Sequence, residues 1–258
     1  MSQRAALAVH DTGSGDALLM LHAFPLEASQ WDHQVAALSG THRCVRPDLW
    51  GCGSSPQVAS TPDLGDFAAA VLAWLDAAGI DQFTVIGSSM GGYIAFELWR
   101  RAPARLQRMV MCATRAAADT DERREDRLQQ VARVIADGDV EAFVPRYAAM
   151  LVAEANQDEV HLTDPLRGRI RRCTVEGFTY GLQAMASRPD HTDLLASIDV
   201  PALVVVGLGD RVIPPDESRR MAAAMPQARL HEMAGCGHLP NLEDPAGFTA
   251  VVEEFLRG

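Results

Sequence analysis

The hydrophobic positions fall into short continuous runs separated by stretches of helical spacing. Residues 17–21 (ALLML) are an apolar run of strand length between the turn-forming DTGSGD and a break at Pro25. RCVRP (43–47) predicts a second short strand, followed by the loop DLWGCGSSP. DFAAAVLAWLDAA (66–78) repeats apolar residues at helical spacing and stops before Gly79, which is placed as a C′ residue. FTVIG (83–87) predicts a strand, and MGGYIAFELWRRAP opens a helix directly behind it. RMVMCAT (108–114), PALVVVG (201–207) and ARLHEMAG (228–235) predict three more strands. The helix DESRRMAAAM lies between the last two, and the amphipathic PAGFTAVVEEFLR closes the chain.

Strands alternating with helices on short connections define an α/β protein with a mostly parallel sheet covered on both faces. One stretch breaks the alternation. Residues 116–197 contain no buried strand, only helical patterns such as DERREDRLQQVARVIADG, VEAFVPRYAAMLVAEA and PLRGRIRRCTVEGFTYGLQAMA. The expected organisation is a core in two parts, residues 1–115 and 198–258, interrupted by an all-helical insertion over 116–197. The charge run DERREDR reads as the solvated face of the insertion's first helix.

At 258 residues and 48% hydrophobic, the chain can bury the core of one large α/β domain. A net charge of -11 argues against nucleic acid or an anionic membrane surface as partner. There is no lysine; all 23 basic residues are arginine, which excludes Schiff-base chemistry, lysine-held pyridoxal phosphate and a P-loop lysine. The five cysteines (Cys44, Cys52, Cys112, Cys173, Cys236) are scattered and never in a CxxC pair. Neither a disulfide framework nor a zinc site is suggested, and a reducing compartment is expected. The N-terminus lacks the apolar region of a signal peptide, and no apolar run reaches membrane-span length. A soluble cytoplasmic protein without metal or organic cofactor is the expectation, with a homodimer as the one assembly entertained.

The candidate chemistry sits in VIGSSMGGY (85–93). A serine hydroxyl becomes a nucleophile when a base takes its proton and a third group orients that base. In the G-x-S-x-G elbow the serine occupies a strained strand-to-helix turn, with glycines where strand and helix pass closely. Only Ser89 has glycine at both positions, Gly87 and Gly91; Ser88 would stand between Ile86 and Met90. A strand precedes the motif and a helix follows it, as the elbow requires.

Here the chain resembles the α/β-hydrolase family, nearly end to end. The resemblance implies a triad in the order serine, acid, histidine. Asp210 in VVVGLGDRVIPP matches the family's G-x-x-D-x-x-x-P form, and His238 in AGCGHLPNLEDP matches its late histidine. Asp210 would fix the imidazole tautomer and His238 would act as general base, then acid. A plainer reading makes Asp210 a turn residue and Asp216 a helix cap. The resemblance places the oxyanion hole at the backbone N–H groups of Met90 and of Phe24 in LHAFP, where Ala23 replaces the usual glycine and His22 organises the loop. DLWGCGSS matches the family's structural turn D-x-x-G-x-G-x-S at Asp48, Gly51, Gly53 and Ser55, with Trp50 where arginine is common. The remaining histidines carry no motif, and Cys236 is expected to be inert.

A serine in the elbow excludes the branches with an aspartate nucleophile. The resemblance then implies cleavage of a small, largely apolar ester or lactone through an acyl-enzyme on Ser89. Carbon–carbon bond hydrolysis, perhydrolase or cofactor-free oxygenase chemistry, and a non-catalytic binding protein remain as alternatives. The insertion would serve as a lid that sets substrate choice, with Trp50, Phe143, Tyr147, Met150, Phe178 and Met185 as candidate pocket residues, although at helical spacing those of the lid are more often its own core. Arg146 and the arginines of 167–172 keep a carboxylate-bearing substrate in play.

Overall fold

The computed structural model describes residues 5–258. The strands are β1 (Val9–Thr12), β2 (Asp16–Leu21), β3 (His42–Pro47), β4 (Phe83–Ser88), β5 (Leu106–Cys112), β6 (Ala202–Gly207) and β7 (Ala228–Met233). They form one sheet in the order β1-β3-β2-β4-β5-β6-β7. Only β1 runs antiparallel to its neighbour; every other pairing is parallel. Parallel neighbours need crossovers, which the helices supply. These are α1 (Asp32–Leu38), α2 (Leu64–Ala77), α3 (Met90–Arg101), α4 (Asp121–Asp137), α5 (Val144–Met150), α6 (Val160–Ile170), α7 (Val175–Ala186), α8 (Pro215–Ala224), α9 (Pro240–Glu243) and α10 (Pro245–Arg257).

The continuous apolar runs follow from burial on both faces. Leu18, Met20, Ile86, Val110, Leu203 and Val205 point to the side covered by Trp31 and Val35 of the α1 region and by Phe248 and Val252 of α10. Their neighbours Leu19, Leu21, Val85, Met109, Met111 and Val204 point to the other side, against α2, α3 and α8. Local signals set the helix ends. Asp63 and Asp66 form a capping box on α2, and α4 starts on Thr120 and ends on left-handed Gly138. Between β5 and β6 the described chain has the four α-helices α4 to α7 and no named strand. No helix among the described residues is long and apolar enough to cross a membrane.

Two features depart from the sequence reading. The edge strand β1 was not anticipated, because His10, Asp11 and Thr12 are exposed and carry no apolar alternation. A disulfide joins Cys52, in the loop after β3, to Cys173, between α6 and α7. This corrects the expectation of unpaired cysteines and removes the premise for a reducing compartment. The partners lie 121 residues apart, and only folding makes them neighbours. Backbone bonds frame the bridge: Gly53 N–H donates to Arg172 O (3.0 Å) and Thr174 N–H to Gly51 O (2.8 Å).

Candidate active site

The elbow forms where β4 meets α3. Ser89 caps the helix with φ 51° and ψ -111°, in the region of backbone space that residues with a Cβ rarely enter. Neighbouring structure holds it there. Its N–H donates to Cys112 O (2.9 Å), and its carbonyl accepts from Gly92 N–H and from the Thr114 hydroxyl, each at 2.9 Å. The flanking glycines are required by contact: a Cβ at Gly87 would lie 2.6 Å from Gly91 O, and one at Gly91 would lie 2.2 Å from Leu21 O. Ser88 is wholly buried in the strand beside Cys112, whereas Ser89 lines a cavity of about 160 Å³.

His238 lines the same cavity. Its Nδ1 stands 2.8 Å from Asp210 Oδ2, with both side chains out of solvent. The other oxygen, Asp210 Oδ1, accepts from the N–H groups of Val212 (2.8 Å) and Ile213 (3.0 Å), so its turn geometry and its bond to the histidine coexist. With Nδ1–H donating to the carboxylate, the Nε2 lone pair is left for the cavity.

The LHAFP loop is organised by His22. Leu49 N–H donates to its Nε2 (3.0 Å), so Nδ1 carries the proton and donates to Ala23 O (2.9 Å). Burial lowers the pKa of this imidazole, which favours the neutral form. Ala23 N–H donates to Gln30 Oε1 (2.7 Å), which completes the tie, and the Phe24–Pro25 peptide that follows is cis. Met90, the first residue of α3, has an N–H without an acceptor inside its helix. The DLWGCGSS turn is held by Asp48, which accepts from Ala28 N–H and Ser54 N–H, each at 2.8 Å.

The cavity wall differs from the apolar one expected. Of the predicted residues, Phe24, Tyr147, Met150 and Met185 line it, as does Arg146. Trp50, Phe143 and Phe178 do not. Trp50 packs on Phe67 and donates to Ala5 O, while Phe143 and Phe178 form an aromatic cluster with Phe24 and Tyr147. The arginines of 167–172 engage Asp164, Ser29, Glu141 and Glu27 elsewhere on the surface. In their place the wall contains Arg123, Arg127, Arg146 and Arg211 against the single acid Asp126.

These residues expose a misreading of α4. Arg123, Asp126, Arg127 and Gln130 recur at i, i+3, i+4 and i+7, and all four line the cavity. The run DERREDR is therefore only partly a solvated face; a polar stripe at helical spacing was the signal available in the sequence. Behind the wall, Asp119 binds Arg115 (2.6 Å), Arg127 (2.6 Å) and Arg188 (2.9 Å). Burial would raise this carboxyl, but Arg127 and Arg188 outweigh it and hold it at about 2. Arg188 also lies 4.2 Å above the ring of Tyr93, another wall residue. Arg123, crowded by Arg115 and partly desolvated, has its pKa lowered chiefly by burial.

A doubly covered sheet of this order, with a serine at the turn after its central strand, is the arrangement of α/β hydrolases. The model of the α/β hydrolase fold family matches residues 16–245, and the chain belongs to that family. It is similar to the 2-hydroxy-6-oxononadienedioate/2-hydroxy-6-oxononatrienedioate hydrolase of Burkholderia vietnamiensis, 30% identical over 97% of this chain and 91% of the relative. Among solved structures it is similar to a thermophilic esterase of Thermogutta terrifontis with malate bound (TM-score 0.94, 32% identity, 99% of this chain and 98% of the other). It also resembles the enol-lactonase of Burkholderia xenovorans LB400 (TM-score 0.90, 26% identity, 99% and 100% covered).

Proposed function

We propose that this protein is a serine hydrolase that cleaves a small carboxylic ester or lactone bearing a free carboxylate, through an acyl-enzyme on Ser89. One observation supports the chemistry: Ser89 and His238, the latter bonded through Nδ1 to buried Asp210, line the same cavity. His238 Nε2 takes the Ser89 proton as Oγ attacks the carbonyl carbon. The tetrahedral oxyanion is held by the N–H groups of Phe24 and Met90, and its collapse expels the alcohol oxygen, which takes the proton back from His238. A water deprotonated by His238 then attacks the acyl-enzyme and releases the acid.

The arginines support the substrate class. Among the described residues, none of Arg123, Arg146 and Arg211 has a carboxylate within ion-pair distance; Arg123 and Arg211 donate only to the carbonyls of Val212 and Ala149. A substrate carboxylate would supply the missing counter-charge. A relative that acts on a dioate, a neighbour holding malate and a neighbouring enol-lactonase agree with this reading. The dioate relative also favours a second reading, hydrolysis of a carbon–carbon bond in an oxo acid on the same serine.

The test compares methyl hexanoate with monomethyl adipate, equal in acyl length and different in a terminal carboxylate. Serine-dependent turnover, with kcat/KM about tenfold higher for the anion and that preference reduced in Arg123→Gln and Arg146→Gln, is expected. Failure of the folded protein to turn over either ester would overturn ester hydrolysis. Preference for the neutral ester would overturn the anionic substrate.

A further inference from the structure

We infer that Glu243 is a positioning residue that makes the His238 loop depend on how the helical insertion is seated; the inference rests on the hydrolase reading above. Glu243 is the last residue of α9, and its two carboxylate oxygens face two different parts of the chain. Oε1 accepts from the N–H groups of Gly237 (2.8 Å) and Leu239 (3.3 Å), the two amides that flank His238. Oε2 accepts from Ala153 N–H (2.7 Å) and Asn156 Nδ2 (2.8 Å), which belong to the insertion and lie 90 and 87 residues away in sequence. The Asn156 amide also donates to Gly235 O (3.0 Å), at the start of the same loop.

No arginine or histidine forms an ion pair with Glu243 among the described residues; four N–H groups bind its carboxylate there. A carboxylate is rigid, and donors on its two oxygens are fixed relative to one another through charge-assisted bonds. The surrounding contact is close. A Cβ at Gly237 would fall 2.3 Å from Ala153 N, so the insertion's backbone presses directly on the histidine loop. Cys236 O accepts from Gly209 N–H (2.8 Å), which ties the same loop to the turn that carries Asp210. If residues 153–156 lift away, Glu243 loses both donors on Oε2 and can turn, and the amides on either side of His238 lose a fixed anchor. The seating of the insertion and the readiness of the base are thereby linked chiefly through Glu243, beside the Asn156 bond to Gly235 O.

Glu243→Gln tests this, because its amide nitrogen cannot accept on one of the two sides. Asn156→Ala, which removes one Oε2 donor together with the bond to Gly235 O and leaves both Oε1 donors, is the second variant should the first fail to fold. The readouts are kcat and KM for the ester, the melting temperature, and the second-order rate at which paraoxon phosphorylates Ser89. Paraoxon forms an Oγ–P bond, releases p-nitrophenolate and needs the base but not the substrate pocket. Expected for Glu243→Gln is a fall of about tenfold or more in both kcat and the phosphorylation rate, with KM little changed, and for Asn156→Ala a fall of about threefold in both. Phosphorylation at the wild-type rate in the folded variants, or a loss confined to KM or to melting temperature, overturns the inference. Wild type that labels no faster than Ser89→Ala overturns the hydrolase reading itself, and this inference with it.

Discussion

The guanidinium of Arg188 stands 2.9 Å from the Asp119 carboxylate, and neither side chain reaches solvent. Arg115 and Arg127 share the same acid, so one buried negative charge holds three positive ones beside the cavity. Asp119→Asn keeps the shape and removes the charge to which all three arginines are paired. It should destabilise the fold by about 3–5 kcal/mol, the cost of breaking a buried pair from one side. Urea unfolding measures this, and a loss below about 1 kcal/mol would place the cluster among weak surface pairs.

The two serines make a sharper comparison. Ser89→Ala should lower kcat by about 10⁴-fold or more, as removal of a nucleophile does. Ser88→Ala changes a side chain buried in β4 that does not line the cavity, and most of the activity should remain. Ester kinetics on both variants decide the matter; equal losses would refute the assignment of Ser89.

Acid should weaken the fold through two carboxyls. Glu97 is held at about 2, below its ordinary 4.5, first by the hydrogen bond from His191 and then by Arg100, against the effect of burial. Asp119 is held at about 2, below 3.8. Both take up protons more readily in the unfolded chain, so their stabilisation is complete above pH 4.5 and is lost as pH falls toward 2. The melting temperature should decline through that window, less steeply in Glu97→Gln. A melting temperature that holds level from pH 7 to 3 would contradict the mechanism.

Cysteine titration checks the bridge. Denatured without reductant, the chain should yield three thiols, those of Cys44, Cys112 and Cys236, and five after reduction. In the native protein the three should react slowly, because burial pushes Cys44 up to about 11, Cys236 to about 12, and Cys112 higher than its ordinary value as well. Five thiols without reductant would remove the disulfide.

What was legible in the chain depended on whether position along the sequence fixes position in space. Gly87, Ser89 and Gly91 sit within one turn, so their spacing already contains the contact with Leu21 that demands glycine. Strands such as β4 and β6, buried on every residue, announced themselves as apolar runs. Cys52 and Cys173 could not, because nothing local in either segment records the other. Phe143 and Phe178 are packed as lid core, the commoner outcome at helical spacing, which identifies an apolar side chain as inward without saying whether it meets substrate or another ring. Arg123 and Arg127 carry no local mark of the cavity, because charge on a helix ordinarily faces water.

That last point has a consequence beyond the pocket. On α4 the polar stripe turns inward, while Leu128 and Ile135 are 43% and 61% exposed on the outer side. Buried Val131 and Val134 keep the ordinary order of a surface helix, but Arg123, Arg127 and Gln130 share their side with the cavity, so the two sides of α4 answer to different demands. Changes on one side alter what is admitted; changes on the other alter how the molecule meets its surroundings. Since the residues are interleaved in sequence but separated in space, the two properties can drift apart in descendants of this chain, residue by residue, within a single helix.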